Sequence, residues 1–115
     1  MEITQEELRQ KIKNGDKLII DFWAKFCGPC KVMKPTFDKV SEEYRNKDSE
    51  VKLYTLDVEE NRDLAVELGV RAVPTLKSFS GGKEMFSQPG MKTESQIKEI
   101  AENLLGLVKL YNDAA

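Results

Sequence analysis

The sequence predicts an α/β fold, a central mixed β-sheet flanked by helices on both faces, and three observations predict it. The chain has 115 residues, enough for one domain and one core. Apolar runs alternate along it with segments whose apolar residues recur at helical spacing. One run, Lys17–Ala24 (KLIIDFWA), is apolar almost throughout and rich in β-formers, the pattern of a central strand buried on both faces.

The elements follow in order. Thr4 to Gly15 reads as a helix, with Thr4 as cap, Glu7 completing a capping box and Gly15 as the stop. Ile3 and Leu8 stand where a hydrophobic staple would join them. After the Lys17–Ala24 strand, Met33, Phe37, Val40 and Tyr44 mark a helix that Pro35 should kink. Val51–Asp57 (VKLYTLD) is a second long strand, and Asn61 caps a short helix through Leu64, Ala65 and Leu68 that ends at Gly69. Pro74–Phe79 is a strand, turned at Gly81-Gly82 into an antiparallel strand, Lys83–Ser87. Thr93 and Gln96 form a further capping box ahead of Ile97, Ile100, Ala101 and Leu104. The order β-α-β-α-β-β-α places helices over both faces of the sheet. The domain is expected over residues 1–106, with residues 107–115 as a C-terminal tail whose LVKLY segment extends the last helix and packs on the domain.

Composition narrows the function. Lys and Arg number 18 against 20 Asp and Glu, a net charge of −2 without a basic stripe, so nucleic acid is not expected as a ligand. No apolar run reaches membrane length, and the acidic, polar MEITQEELRQ is unlike an export signal, so a cytoplasmic protein is expected. Exposed charges such as Glu6, Lys11, Glu59, Lys98 and Glu99 read as solvated faces.

The two cysteines, Cys27 and Cys30, enclose too short a loop to act as a structural staple. With no histidine in the chain, a zinc site needs further thiolates or carboxylates, or a second chain. Redox chemistry fits the spacing better, and no metal is expected. The pair lies where the first long strand turns into a helix. Thiol–disulfide exchange needs a thiolate, and the partial positive charge and free N–H groups of a helix N-terminus favour one. Cys27, at the mouth of the turn, is the expected nucleophile. Cys30, one helical step inside and less exposed, is the expected resolving thiol. Pro29 restricts the backbone between them, and Gly28 keeps the turn compact. Asp21 interrupts the apolar run on the face shared by Ile19 and Trp23. Burial should raise its pKa, so it can take the Cys30 proton during resolution.

Asp21-Phe22-Trp23-Ala24-Lys25-Phe26-Cys27-Gly28-Pro29-Cys30-Lys31 resembles the active-site segment of the thioredoxin family. Pro35, the block Asp57, Glu60, Asn61, Leu64, Ala65, Gly69, Val70, Val73, Pro74 and Thr75, and Gly82 and Gly90 extend the similarity over roughly residues 3 to 105. The resemblance implies a cis bond before Pro74, with the Val73 backbone opposite Cys27. It implies a substrate surface of Trp23, Phe26, Gly28, Pro29, Val73, Pro74 and Gly90. It also implies disulfide-containing client proteins, an NADPH-dependent flavoprotein thioredoxin reductase as electron donor, no cofactor on the chain itself, and a monomer.

Against the family pattern, Phe26 stands where Trp is common, and the first strand is cut to about Met1–Ile3. Leu53 occupies a slot where some members place a lysine near the buried acid, and Lys77 and Ser78 sit in a strand usually more apolar. Two other readings stand beside this one: a non-enzymatic subunit of a larger enzyme, as some family members are, and a metal site shared by two chains.

Overall fold

β1 (Lys17–Trp23) runs through the middle of the sheet, parallel to β2 (Val51–Asp57) on one side and antiparallel to β3 (Thr75–Ser80) on the other. β4 (Lys83–Pro89) adds antiparallel to β3, giving the order β2-β1-β3-β4. The computed structural model describes residues 1–106, so the expected helical tail over 107–115 lies outside the described residues. Both neighbours of β1 are strands, and Leu18 to Phe22 are all buried, which is why the run carries apolar residues at successive positions.

The alternation of side chains sorts the core into two layers. Leu18, Ile20 and Phe22 join Leu56, Phe79, Ile3, Leu8 and Leu64 on the face covered by α1 (Gln5–Lys13) and α3 (Arg62–Glu67). Ile19 joins Val51, Leu53 and Leu76 on the opposite face, against Met33, Phe37, Val40 and Tyr44 of α2 (Gly28–Asn46) and Ile97, Ile100 and Ala101 of α4 (Glu94–Leu104). Helices therefore cover both faces, as the sequence predicts.

Local signals set the ends of these elements. Thr4 Oγ1 accepts from the Glu7 N–H at 3.2 Å while the Thr4 N–H donates to Glu7 Oε1 at 3.0 Å, the expected reciprocal cap. Ile3 and Leu8 are both buried beside it. Thr93 and Gln96 repeat the box at α4. Gly81 and Gly82 both have positive φ (62° and 82°), the requirement of the tight turn between the paired Ser80 and Lys83. Pro35 lies inside α2, and the helix runs through it to Asn46.

Two expectations need correcting. Asn61 stands at the start of α3 but its side chain makes no cap. Its Nδ2 donates to the Asp57 C=O at 3.0 Å and its Oδ1 accepts from the Gln5 N–H at 2.8 Å. The cap is supplied from α1, whose Gln5 Oε1 accepts the Leu64 N–H at 3.0 Å. Lys98 is not a solvated charge: half-buried, it clasps α4 to α2 through Glu43 at 3.1 Å and pairs with Glu94 at 2.9 Å.

The N-terminal segment reaches the sheet beside β2 through a single parallel bridge, Glu2 to Thr55, a short edge as expected. Lys77 is buried in β3, its ammonium donating to Glu84 Oε1 at 2.6 Å and to Ser87 Oγ at 3.0 Å. Those two partners explain how a lysine sits buried in β3.

Candidate active site

β1 ends at Trp23, and four residues later Cys27 caps α2. Its backbone is extended (φ −85°, ψ 108°), and its N–H closes the turn on the Ala24 C=O at 3.1 Å. Cys27 Sγ accepts the Cys30 N–H at 3.1 Å. The Cys27 sulfur thus does what a serine or aspartate oxygen does at other helix starts, and it holds one of the unpaired N–H groups of α2. Pro29 fits the first turn, where no N–H partner is needed, and the turn carries no acid to oppose a negative charge on sulfur. Cys27 and Cys30 are joined by a disulfide, with Cα atoms 5.2 Å apart. Their exposures, 7% and 3%, run in the expected order but differ little. The helix terminus, not exposure, separates the two sulfurs.

A second loop closes over the pair. The Val73–Pro74 bond is cis, and Val73 packs with Trp23 against the cluster of Ala24, Cys27 and Cys30. The Gly90 N–H donates to the Pro74 C=O at 2.8 Å, and the Lys92 N–H donates to Met33 Sδ at 3.4 Å, which ties this loop to α2. Gly90 has φ +97°, a conformation that favours glycine. The fold therefore packs Trp23 and Val73 against the disulfide, Gly90 is bonded to the Pro74 that follows Val73, and Gly28 and Pro29 are exposed between the two cysteines. Phe26 adjoins Cys27 in sequence but is 76% exposed and stands outside the packed cluster.

Beneath Cys30 lies Asp21, 1% exposed, with Oδ1 buried and without a hydrogen-bond partner. Burial pushes its pKa up to about 7; Lys34 pulls it down, and Asp38 and Glu2 push it further up. Asp21, Cys30, Trp23, Lys31, Lys34 and Thr55 line a cavity of about 40 Å³. One water needs roughly 10–15 Å³, so the cavity they share has room for a water.

Residues 1–103 match the thioredoxin family model. The chain belongs to the thioredoxin family. It is 32% identical to the thioredoxin of Porphyra purpurea over 98 residues, 84% of this chain and 89% of that one. It is similar to a solved mutant thioredoxin from Halobacterium salinarum NRC-1, with TM-score 0.76 and 31% identity, covering 90% of this chain and 87% of that one. Mitochondrial thioredoxin 3 of Saccharomyces cerevisiae, in its oxidised form, gives TM-score 0.72 and 35% identity, with coverage of 86% and 90%. The sheet and its four helices are the thioredoxin fold, and the paired cysteines make this chain a thiol–disulfide oxidoreductase acting on disulfide-containing proteins. Among the described residues no helix is long and apolar enough to cross a membrane.

Within this thioredoxin site Leu53, the apolar residue in the slot near the acid, pairs with Ile19 and belongs to the core under α2 and α4. The residue opposite Asp21 is Thr55. The nearby cation comes instead from α2, where Lys34 lies one turn beyond Cys30 and pairs with Asp38 at 3.0 Å. Sequence reasoning missed Lys34, although its i+4 spacing from Cys30 is a readable signal. It also missed Glu2, which no local pattern marks.

Proposed function

We propose that the chain reduces client disulfides with Cys27 as nucleophile, Cys30 as resolving thiol and Asp21 as proton acceptor. The observation that carries this reading is the place of Cys27 at the start of α2, its sulfur accepting the Cys30 N–H. In the reduced protein the same N–H and the helix terminus favour a Cys27 thiolate. That thiolate attacks one client sulfur, forms the Cys27–client mixed disulfide and expels the other as a thiolate. Asp21, directly or through a water in the shared cavity, takes the Cys30 proton. The Cys30 thiolate then attacks Cys27 Sγ, forms the Cys27–Cys30 disulfide and releases the second client thiolate, two electrons having passed to the client.

Trp23, Phe26, Gly28, Pro29, Val73, Pro74 and Gly90 form the client surface in this reading, with the Val73 backbone available to an extended client segment. Two electrons return from NADPH through a flavoprotein thioredoxin reductase. A cytoplasmic setting suits that supply, because the reducing compartment maintains dithiols. Every residue invoked comes from one chain, which supports a working monomer.

Trapping on variants tests the reading. Cys30→Ser should accumulate mixed disulfides with clients, and Cys27→Ser should form none and reduce nothing. Trapping by Cys27→Ser in place of Cys30→Ser would reverse the assignment.

A further inference from the structure

Glu2 stands on the segment ahead of α1, and backbone bonds hold that segment to β2. The Ile3 N–H donates to the Thr55 C=O at 2.8 Å, and the Thr55 N–H donates to the Met1 C=O at 2.9 Å. Pairing with Thr55 puts the Glu2 side chain on the face that carries Thr55, Asp21 and Trp23. There its carboxylate takes three donors. Oε1 accepts from Trp23 Nε1–H at 3.0 Å and from the Thr55 hydroxyl at 2.5 Å, and Oε2 accepts from the Asp57 N–H at 2.9 Å.

The Thr55 bond matters for Asp21. A threonine hydroxyl has one proton to give, and Thr55 is the residue opposite Asp21 in the strand register. That proton goes to Glu2, and Asp21 Oδ1 is buried without a donor. The other charged groups that bear on Asp21 are Lys34 and Asp38 of α2, with Lys31 at the cavity wall; its β3 partner is the uncharged Leu76.

We propose that Glu2 is a positioning residue for disulfide exchange: its carboxylate locks the Trp23 indole beside the cysteines and withholds the Thr55 proton from Asp21. The proposal rests on the reading of Trp23 as client surface and Asp21 as proton acceptor. Glu2→Gln keeps an oxygen for Trp23 and Thr55, loses the charge and gives up the bond from the Asp57 N–H, which its amide nitrogen cannot accept. Glu2→Ala loses both, and frees the Thr55 hydroxyl to donate to Asp21.

Three readouts separate this role from a merely structural one: the single tryptophan's indole N–H resonance, KM for a protein disulfide, and the pH midpoint of mixed-disulfide release. Glu2→Ala should shift the indole resonance, raise KM several-fold, and lower the pH midpoint by about one unit, since it adds a hydrogen bond to the carboxylate and removes a like charge. Glu2→Gln should keep the indole resonance and KM and lower the midpoint by less. Glu6→Gln, an exposed charge change on α1, should alter none of the three. Adding Thr55→Val to Glu2→Ala should bring the midpoint back toward that of Glu2→Gln. Should Glu2→Ala fold poorly, Glu2→Gln still decides: a midpoint equal to that of wild type would overturn the proposal. Wild-type values for all three readouts in a folded Glu2→Ala protein would overturn the proposal. Asp21→Asn separates the two levels: if it leaves the pH dependence of release intact, the reading of Asp21 falls, and the Asp21 half of this proposal with it. If Asp21→Asn abolishes that dependence while Glu2→Ala changes nothing, only the Glu2 proposal falls.

Discussion

Lys34 and Asp21 line the same cavity as Cys30, and Lys34 reaches it from one helical turn beyond that cysteine. The lysine is the one nearby cation that lowers the Asp21 pKa, against burial and the charges of Asp38 and Glu2. It lies on the helix that Cys27 caps and that carries Cys30, so the redox pair and this cation near the acid are held by one rigid element.

Lys34→Met should therefore raise the Asp21 pKa above about 7. Two effects act in the same direction: the cation is lost, and the Asp38 carboxylate, paired with Lys34 at 3.0 Å, is left uncompensated. The pH midpoint of mixed-disulfide release should move up by about half a unit to one unit at low salt. The Lys34 side chain is 55% exposed, so added salt should shrink the difference. Lys34→Arg should behave as wild type. A midpoint that stays in place or falls in Lys34→Met would remove Lys34 from the site.

Gly90 should tolerate no side chain, and for a backbone reason. A Cβ there meets nothing within 4 Å, but φ is +97°. Gly90→Ala should cost about 1–3 kcal/mol of strain, and loop relaxation should weaken the bond from the Gly90 N–H to the Pro74 C=O. KM for protein disulfides should rise with it. Gly28 also has open space at its Cβ and no positive φ, so Gly28→Ala should leave stability within about 0.5 kcal/mol. Urea unfolding of the two variants side by side tests the contrast. Equal stabilities would mean the loop bears no strain.

The readable parts of this molecule are those whose signals are local. The Thr4–Glu7 and Thr93–Gln96 boxes, the doubly buried β1 and the strand-to-helix turn at Cys27 each depend on residues a few positions apart. The errors concern residues joined only by the fold. Asn61 has the composition of a cap, but Gln5, 59 residues from Leu64, supplies the acceptor. Glu2 stays exposed, and only the pairing of its segment with β2 gives it Thr55 and Asp57 of β2 and Trp23 of β1 as donors. Pairing across strands decides these sites, and no periodicity encodes it.

The pair of buried Lys77 and exposed Glu84 should be asymmetric under mutation. The Lys77 side chain is 4% exposed and that of Glu84 41%, so the desolvation cost falls mainly on the ammonium. Glu84→Ala leaves that ammonium with the neutral Ser87 hydroxyl and should destabilise by about 1–3 kcal/mol, below the 3–5 of a fully enclosed pair because water reaches the gap. Lys77→Met removes the charge and keeps the apolar stem, and should be close to neutral. Denaturant unfolding of both variants checks the order. A larger loss for Lys77→Met would show that the pair stabilises the sheet outright.

Asp21 should make stability depend on pH in the direction opposite to a salt-bridged aspartate. An unfolded aspartate gives up its proton around its ordinary value of 3.8, whereas the folded chain holds this one to about 7. Below the lower value both states are protonated, and the site costs nothing through ionisation. Between the two values the folded state binds a proton that the unfolded state has released, so stability falls as pH rises. Above about 7 both are ionised and the penalty levels off. A difference of about 3 units corresponds to about 4 kcal/mol, an upper bound because water entering the cavity solvates the charge. Asp21→Asn removes this dependence but keeps the shape. Its stability relative to wild type should be lowest near pH 4, rise through pH 6 and level off near pH 8, whatever constant offset the buried amide adds. Urea unfolding of both proteins at those three pH values measures it. The same variant should slow mixed-disulfide release, because an amide cannot take the Cys30 proton. An Asp21→Asn protein that is less stable than wild type by the same amount at all three pH values would make Asp21 a satisfied structural acid, and the proton would need another acceptor.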